Sequence, residues 1–359
     1  MSVNHLYHTW FQRIRQLRPG ERVTRLRNFA WIAAGILLSR SVHLSQIAEK
    51  IPGLATTVSK TRRVRRFLNN SAVQVRDWYA PVARDILHAV VAQGLEVRLL
   101  ADGTKVGFGH QLLMVGLAYR RRAIPIAWTW VRSARGHSSA AKQLALLTYI
   151  HGLLPPEARV SLVGDSEFGA VAVMEQLDDW KWHYVLRQKG DTRVKLPDQA
   201  PWWRLDSLAV QGAAPRRLPD VRLTRKHGYA VHVITWWKAG EDEPWLLATN
   251  LPTLRAGLRA YKRRMWIEEM FGDFKRHGFD LESSHLRHFL RLSRLTLIVA
   301  FLYVWLVAFG SRVIKNGQRR LVDRADRRDL SIFRIGLRMV ERLLANAKPF
   351  SIRLRPYFS

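Results

Sequence analysis

The stretch from Tyr261 to Lys275 constrains the fold more than any other part of the chain. At about 100° per residue, a helix there gathers Tyr261, Arg264, Glu268 and Lys275 into a fan roughly 60° wide. Trp266, Ile267, Met270, Phe271 and Phe274 fall on the neighbouring arc and form a buried side. One carboxylate is thereby held among a phenol, a guanidinium and an ammonium, beside an apolar stripe that anchors the helix. Glu268 is suited to a metal ion, and Arg264 and Lys275 to phosphates. A plain solvated charged face is the competing reading.

That helix needs a substantial body to pack on. A chain of 359 residues is long enough for two or three lobes, and 48% hydrophobic residues exclude a disordered one. Lys and Arg number 59 against 28 Asp and Glu, a net charge of +31, so a polyanion is the expected partner. Nucleic acid comes first and anionic membrane second. The absence of cysteine excludes disulfides, zinc ribbons and thiol catalysis, and fits a reducing compartment. Phe29 to Leu38 is apolar after basic residues, but Ser39 to Ser41 lacks a small-residue cleavage pattern, so a buried helix is expected there.

In chain order, residues 1–90 read as helical, with Trp10, Phe11, Ile14 and Leu17 and then Leu26, Phe29, Ala30, Ala33 and Leu37 at helical spacing. Leu44 to Ala55 ends in a Pro-Gly turn, and a second helix near Ser59 would carry Lys60, Arg62, Arg63, Arg65 and Arg66. Those five cations suit phosphates or a DNA groove, and equally a solvated face. A short strand from Leu95 ends in Asp102, and Leu112–Tyr119 and Ala123–Val131 read as the next strands, joined by Arg120, Arg121 and Arg122. Helix Ala140–Leu154, strand Val160–Gly164 delivering Asp165, helix Ala170–Leu177 and strand Trp182–Leu186 follow. This order predicts an α/β fold with an RNase H-like core. Residues 187–250, rich in proline and in alternating runs such as Tyr229–Trp237, read as a β-rich insertion. Leu295–Phe309 is apolar for 15 residues, short of the roughly 20 that span a bilayer, and is expected as a buried helix. Asn316–Ser359 is Arg-rich and then amphipathic through Phe333, Leu337, Val340 and Leu344, packing on its own core or on a partner.

The spacing Tyr261-x2-Arg264-x3-Glu268-x6-Lys275 resembles the YREK signature of DDE transposases, in particular the insertion-sequence-four family. With each residue type at roughly 5% usage, a chance match in such a chain is well under about 1%. The resemblance covers roughly residues 95–310 and is specific at the YREK stretch. It implies an α-helical N-terminal DNA-binding lobe over 1–90, an RNase H-like core over 91–190 and 251–312, a β-rich insertion over 191–250 and a basic helical C-terminal segment over 313–359. It also implies a catalytic and metal-binding triad of Asp102, Asp165 and Glu268, with Tyr261, Arg264 and Lys275 on the phosphates. Trp245, on the strand before the YREK helix, would stack on a flipped base. The implied partners are the double-stranded terminal repeats and target DNA, handled by a homodimer in the bacterial cytoplasm, on the nucleoid.

The chemistry is consistent with those residue types. Two Mg2+ or Mn2+ ions about 3.5–4 Å apart can activate the attacking oxygen and stabilise the leaving one, and carboxylates are the ligands such ions prefer. Ser166 departs from the family, whose members often carry Arg straight after the aspartate, and Glu167 reads as a surface residue. Trp202, Trp203, Trp236 and Trp237 can stack on unpaired bases or fill a small β core. His285 and His288 have no ligand-spaced companions and read as surface or DNA-facing. The function expected is cut-and-paste transposition. A structure-selective nuclease and a non-catalytic DNA-binding regulator are the rivals, and a membrane-associated protein is a distant one because no segment reads as long enough to span.

Overall fold

The computed structural model describes residues 2–107, 109–132, 138–197 and 199–358. Met1 and Ser359, at the ends of the expected terminal segments, lie outside them. Five helices come first: α1 (Ser2–Leu17), α2 (Val23–Ser39), α3 (Leu44–Glu49), α4 (Thr57–Asn69) and α5 (Val75–Val91). Thr56 caps α4 by accepting from the Ser59 amide, which fixes the start of the basic helix two residues before the position expected. The Ile51-Pro52-Gly53 break separates it from α3.

Then come β1 (Val97–Val106), β2 (His110–Tyr119), β3 (Arg122–Arg132), α6 (Ala140–His151), β4 (Val160–Gly164), α7 (Val171–Asp179) and β5 (His183–Arg187), in the order expected. β6 (Arg193–Lys195), β7 (Trp203–Arg204), β8 (Arg216–Leu223), β9 (Tyr229–Trp236) and β10 (Trp245–Thr249) follow. All ten strands form one sheet, ordered β3-β2-β1-β4-β5-β10-β9-β8-β6-β7. Only the β1–β4 and β4–β5 pairs are parallel. The strands of residues 191–250 therefore extend the same sheet, because β10 pairs directly with β5. Every residue of β4 is buried, as in a strand covered on both faces.

The β2–β3 turn is built from Arg120 and Arg121, at φ 44° and 65°. Left-handed backbone costs a non-glycine residue roughly 1–2 kcal/mol, so two arginines there are an expensive way to turn a hairpin that Asn-Gly would turn readily.

The chain ends with α8 (Leu254–Tyr261), α9 (Met265–Phe274), α10 (Phe289–Lys315) and α11 (Ile332–Ala345). α10 runs for 27 residues, well beyond the 15 expected, and by length and composition it could cross a membrane. It is longer because Arg294, which looked like a boundary, is buried and donates to the carbonyls of Val73 at 3.0 Å and Leu68 at 2.9 Å. The helix forms the centre of the core. Trp10 packs edge-on against Trp305, Phe29 against Phe301, and Tyr303 stacks on Phe333 of α11. The N-terminal helices and the sheet thus share one apolar interior, and α11 packs on its own chain. A Cβ on Gly336 would lie 1.9 Å from the Leu306 carbonyl oxygen, so only glycine allows α11 to approach α10 this closely.

Candidate active site

The site begins with strand register. β1 and β4 run parallel with Ala101 opposite Gly164 as their last pair, so Asp102 and Asp165 are the next residues on adjacent strands. The expectation that β1 ends at Asp102 needs correcting. Its pairing with β2 continues to Val106, so Asp102 lies within a strand that has lost its neighbour on one side only. Its side chain is buried, 8% exposed, with Oδ1 accepting from the Gly103 amide at 2.7 Å. Asp165 leads into a single 3-10 turn, Ser166–Phe168. Its Oδ1 is buried and has no hydrogen-bond partner.

The third carboxylate arrives from α9. The stretch from Tyr261 to Lys275 is not one α-helix: α8 ends at Tyr261, a 3-10 turn covers Lys262–Arg264, and α9 begins at Met265. All these residues stay in the right-handed helical region, so the fan of Tyr261, Arg264 and Glu268 survives the tightening. Arg264 bridges the cluster, its Nη1 donating to Asp102 Oδ2 at 3.2 Å and its Nη2 meeting Glu268 Oε1 at 2.6 Å. Lys275 departs from the expected face, because it ends the helix at φ −90° and ψ −134°. Its Nζ reaches the Lys105 carbonyl at 2.7 Å and Glu282 at 3.1 Å, which places its charge at the far end of β1 from Ala101.

Burial pushes the Asp102 carboxyl up to about 7, and the negative charges of Asp165 and Glu268 add to it. Arg264 and the Gly103 amide pull the other way. Burial also raises the Tyr261 phenol, against the pull of Arg264 and Arg187. Tyr261 packs edge-on against Trp245 at 4.9 Å, and Trp245 against Trp236 at 5.4 Å. Lys238 Nζ caps both indoles, at 5.0 and 4.9 Å. Of the other tryptophans, Trp203 is exposed on the edge strand β7, and Trp237 donates to the Glu241 carbonyl.

Sequence reasoning missed three contributors. Glu167 is no plain surface residue: it accepts from Gln111 Nε2 at 2.9 Å and from the Ser138 amide. A Cβ on Gly103 would strike Gln111 Nε2 at 2.2 Å and Glu167 at 2.8 Å, so a glycine beside Asp102 lets this clasp close. Arg187 ends β5, the parallel neighbour of β4, and lines a groove of about 460 Å³ with Asp165, Ser166 and Lys189. It holds Glu243 at 2.7 Å and provides a cation in the groove where Ser166 has none. Its place at the end of the adjacent parallel strand was the available signal.

Further away, Arg62, Arg63, Arg65 and Arg66 are exposed on α4, while Lys60 is half-buried. Arg65 and Thr61 line a groove of about 500 Å³ with His43, Asn69, His285 and Arg291, between the N-terminal helices and the segment after α9. His285 is exposed there, 5.9 Å from the His43 ring, and His288 is exposed on the same segment.

Among the described residues, no group of three or more His, Asp or Glu is close enough together to hold a metal ion as it stands. The reason is visible: the Arg264 guanidinium occupies the space between Asp102 and Glu268. The donor set nonetheless fits a hard divalent cation. Three carboxylates face one arginine, one carboxylate oxygen is buried without a partner, and burial, with the charges of Asp165 and Glu268 adding to it, raises Asp102 to about 7 against the pull of Arg264.

Comparison with known proteins bears on the same residues. Residues 130–305 match the transposase DDE domain family, a span that contains Asp165, Glu268 and Trp245 but begins well after Asp102. This match supports a DDE transposase. No curated protein matches the chain. Among solved structures, the chain is similar to the piggyBac transposase in its cryo-EM synaptic complex with hairpin DNA. The identity is 11%, the TM-score 0.44, and the alignment covers 99% of this chain and 84% of that one.

Proposed function

We propose that this protein, with its transposase DDE domain match over residues 130–305, is a cut-and-paste DNA transposase that nicks the ends of its own element and joins the freed 3′-hydroxyl to target DNA. One observation carries the reading. The Ala101–Gly164 register puts Asp102 and Asp165 at successive positions on adjacent strands, Arg264 ties Asp102 to Glu268, and Asp165 keeps a buried oxygen without a hydrogen-bond partner. The strand order β3-β2-β1-β4-β5, with α6 and α7 around β4, supports an RNase H-like core of the kind on which such triads sit.

Asp102, Asp165 and Glu268 would hold Mg2+ or Mn2+, which when bound stabilises charge on the attacking and leaving oxygens of a phosphodiester. Arg264 has two duties. It keeps three like charges together in the free protein, and on swinging from Asp102 it can take a phosphate oxygen bidentately. Tyr261, held by Trp245, fixes the direction of that swing through its ring, 5.9 Å from the guanidinium carbon. Lys275 neutralises a neighbouring phosphate once it releases Glu282. Trp245 offers an indole face to an unstacked base, and α4 grips the backbone of the end duplex. A homodimer would bring the two ends together.

The test is cleavage of labelled duplexes, taken from the DNA flanking the coding sequence, in Mg2+ by wild type and Glu268→Gln. Nicking that needs metal and disappears in the variant is expected. Binding without cutting by either protein in any divalent metal would replace the enzyme with a DNA-binding regulator. Nicking without strand-transfer products would leave a nuclease.

A further inference from the structure

The helical run from α8 into α9 has a third face, which the chemistry above does not use. Arg255, Arg259 and Lys262 recur at i, i+4 and i+7 and lead to Trp266 one turn later. All three cations are exposed, and among the described residues none has a carboxylate within ion-pair distance; Lys262 Nζ lies 5.7 Å from the centre of the Trp236 ring. They line a groove of about 640 Å³ with Arg263 and Trp266, while Arg264, Glu268 and Tyr261 line none of it. Trp266, expected on the buried side, is only half-buried and lines this groove together with Leu254 and Leu258.

The groove does not stop at α9. Trp266 and Arg263 also line a neighbouring depression that reaches Arg98 and Arg120. Trp266 and Arg120 line a third, of about 700 Å³, that includes Arg121, Arg319 and Arg328. The costly left-handed turn at Arg120 and Arg121 thus presents its two arginines onto the same band. Cations crowd the middle as well: burial, with Arg98 and Arg259 adding to it, lowers the Arg263 guanidinium, and Glu96 opposes them.

We propose that this band is a second track for double-stranded DNA, gripping its phosphates on the side of α8–α9 turned away from the carboxylates. Charge complementarity chooses the occupant. At 1.5 Å per residue, Arg255 to Lys262 spans about 10 Å, or roughly three base steps of duplex. Cations at this spacing beside an indole suit a phosphate track. The few carboxylates along it, among them Glu96, Glu269 and Asp329, leave it strongly positive. The track would hold a separate target duplex while the catalytic side holds the end.

The inference rests on DNA being the substrate, and the two fail separately: absence of metal-dependent nicking by wild type sinks the enzyme reading, and the measurements below sink the track. Full-chain protein is titrated with a 30-base-pair duplex, and duplexes per protomer are read by sedimentation as affinity is followed against salt. Wild type is expected to take two duplexes per protomer. The triple variant Arg255→Ala/Arg259→Ala/Lys262→Ala should take one, and its slope of log affinity against log salt should fall by about 2–3, near 0.9 for each phosphate no longer neutralised. Arg259→Glu alone should weaken the second duplex at least tenfold, and Arg255→Lys/Arg259→Lys should retain it. One duplex per wild-type protomer, or an unchanged slope in the triple variant, would overturn the track. Poly-glutamate binding that is lost in the triple variant, without a second duplex, would overturn it in favour of an acidic protein partner.

Discussion

α9 carries two arginine–carboxylate clusters, and they differ in the balance of charge around the buried aspartate. On one side Arg264 bridges Asp102 and Glu268. On the other Arg122 bridges Asp273, from Nε at 2.8 Å, and Glu269, from Nη1 at 3.1 Å. Each joins a buried aspartate to a more open glutamate, and burial raises each aspartate, Asp273 to about 6 and Asp102 to about 7. At Asp273, however, Arg334 adds a second cation to oppose Glu269, so charge is close to balanced. At Asp102 a third carboxylate, Asp165, leaves an excess of negative charge and an oxygen without a partner. That imbalance is the setting in which the proposed cation would bind.

The largest effect tests the imbalance itself. Asp165→Asn should reduce metal-dependent nicking at least about a thousandfold, roughly 4 kcal/mol of barrier. It should also abolish any rise in Tm on adding Mn2+, whereas Asp273→Asn should retain that rise. A Tm rise that survives Asp165→Asn would place the metal elsewhere. Next is Arg122→Ala, which strands Asp273 in the core and should cost about 3–5 kcal/mol in urea unfolding. Arg264→Ala should cost less than about 2 kcal/mol, since Glu268 opens to water and Asp102 can keep its proton near neutrality. It should still end nicking. Equal losses from the two arginines would erase the distinction.

Much of this was legible in the sequence, for physical reasons that vary by element. The period-two and buried runs of β1–β5, and α6 and α7 between them, are local patterns, and so is the Tyr261-Arg264-Glu268 fan. Asp102 was readable as a candidate, but not as a residue within its strand, because only the register with β2 shows that β1 continues. Arg294 hid the true length of α10, since its satisfaction by Val73 and Leu68 lies more than 200 residues away in sequence. Lys275 was misplaced by assuming helix to the last residue of the signature. Arg187 was signalled only by its place at the end of the strand after Asp165, and the Glu167–Gln111 clasp could not be read at all without knowing which strands are neighbours.

A smaller effect is expected from pH. Asp273 rises from an ordinary 3.8 to about 6 in the fold, burial outweighing Arg122. Between those values the native state keeps a proton that the unfolded chain has lost, so this group's contribution to stability falls as pH rises. Asp273→Asn has no proton to lose. From pH 4 to pH 7 wild type should therefore lose up to about 3 kcal/mol relative to the variant, at about 1.4 kcal/mol for each tenfold difference in proton affinity between the folded and unfolded chain. A flat difference across that range would mean that Arg122 compensates Asp273 fully, and the two clusters would then differ more than proposed.

The smallest effect comes from the neighbours Glu268 and Glu269, one residue apart on opposite sides of the comparison. Glu269 is 57% exposed, and its pairing with Arg122 is worth no more than about 1 kcal/mol. Glu269→Gln should therefore shift urea stability within that limit and leave nicking at the wild-type rate. Glu268→Gln should leave stability equally untouched, because Glu268 is itself 40% exposed, while removing nicking altogether. Stability measurements alone would not tell the two substitutions apart, and activity measurements alone would not show that the loss at Glu268 is chemical. Run together, they assign function to one carboxylate of α9 and architecture to the next. Nicking impaired by Glu269→Gln to the same degree would mean that the Arg122 cluster holds α9 in its catalytic position and is not independent of the site.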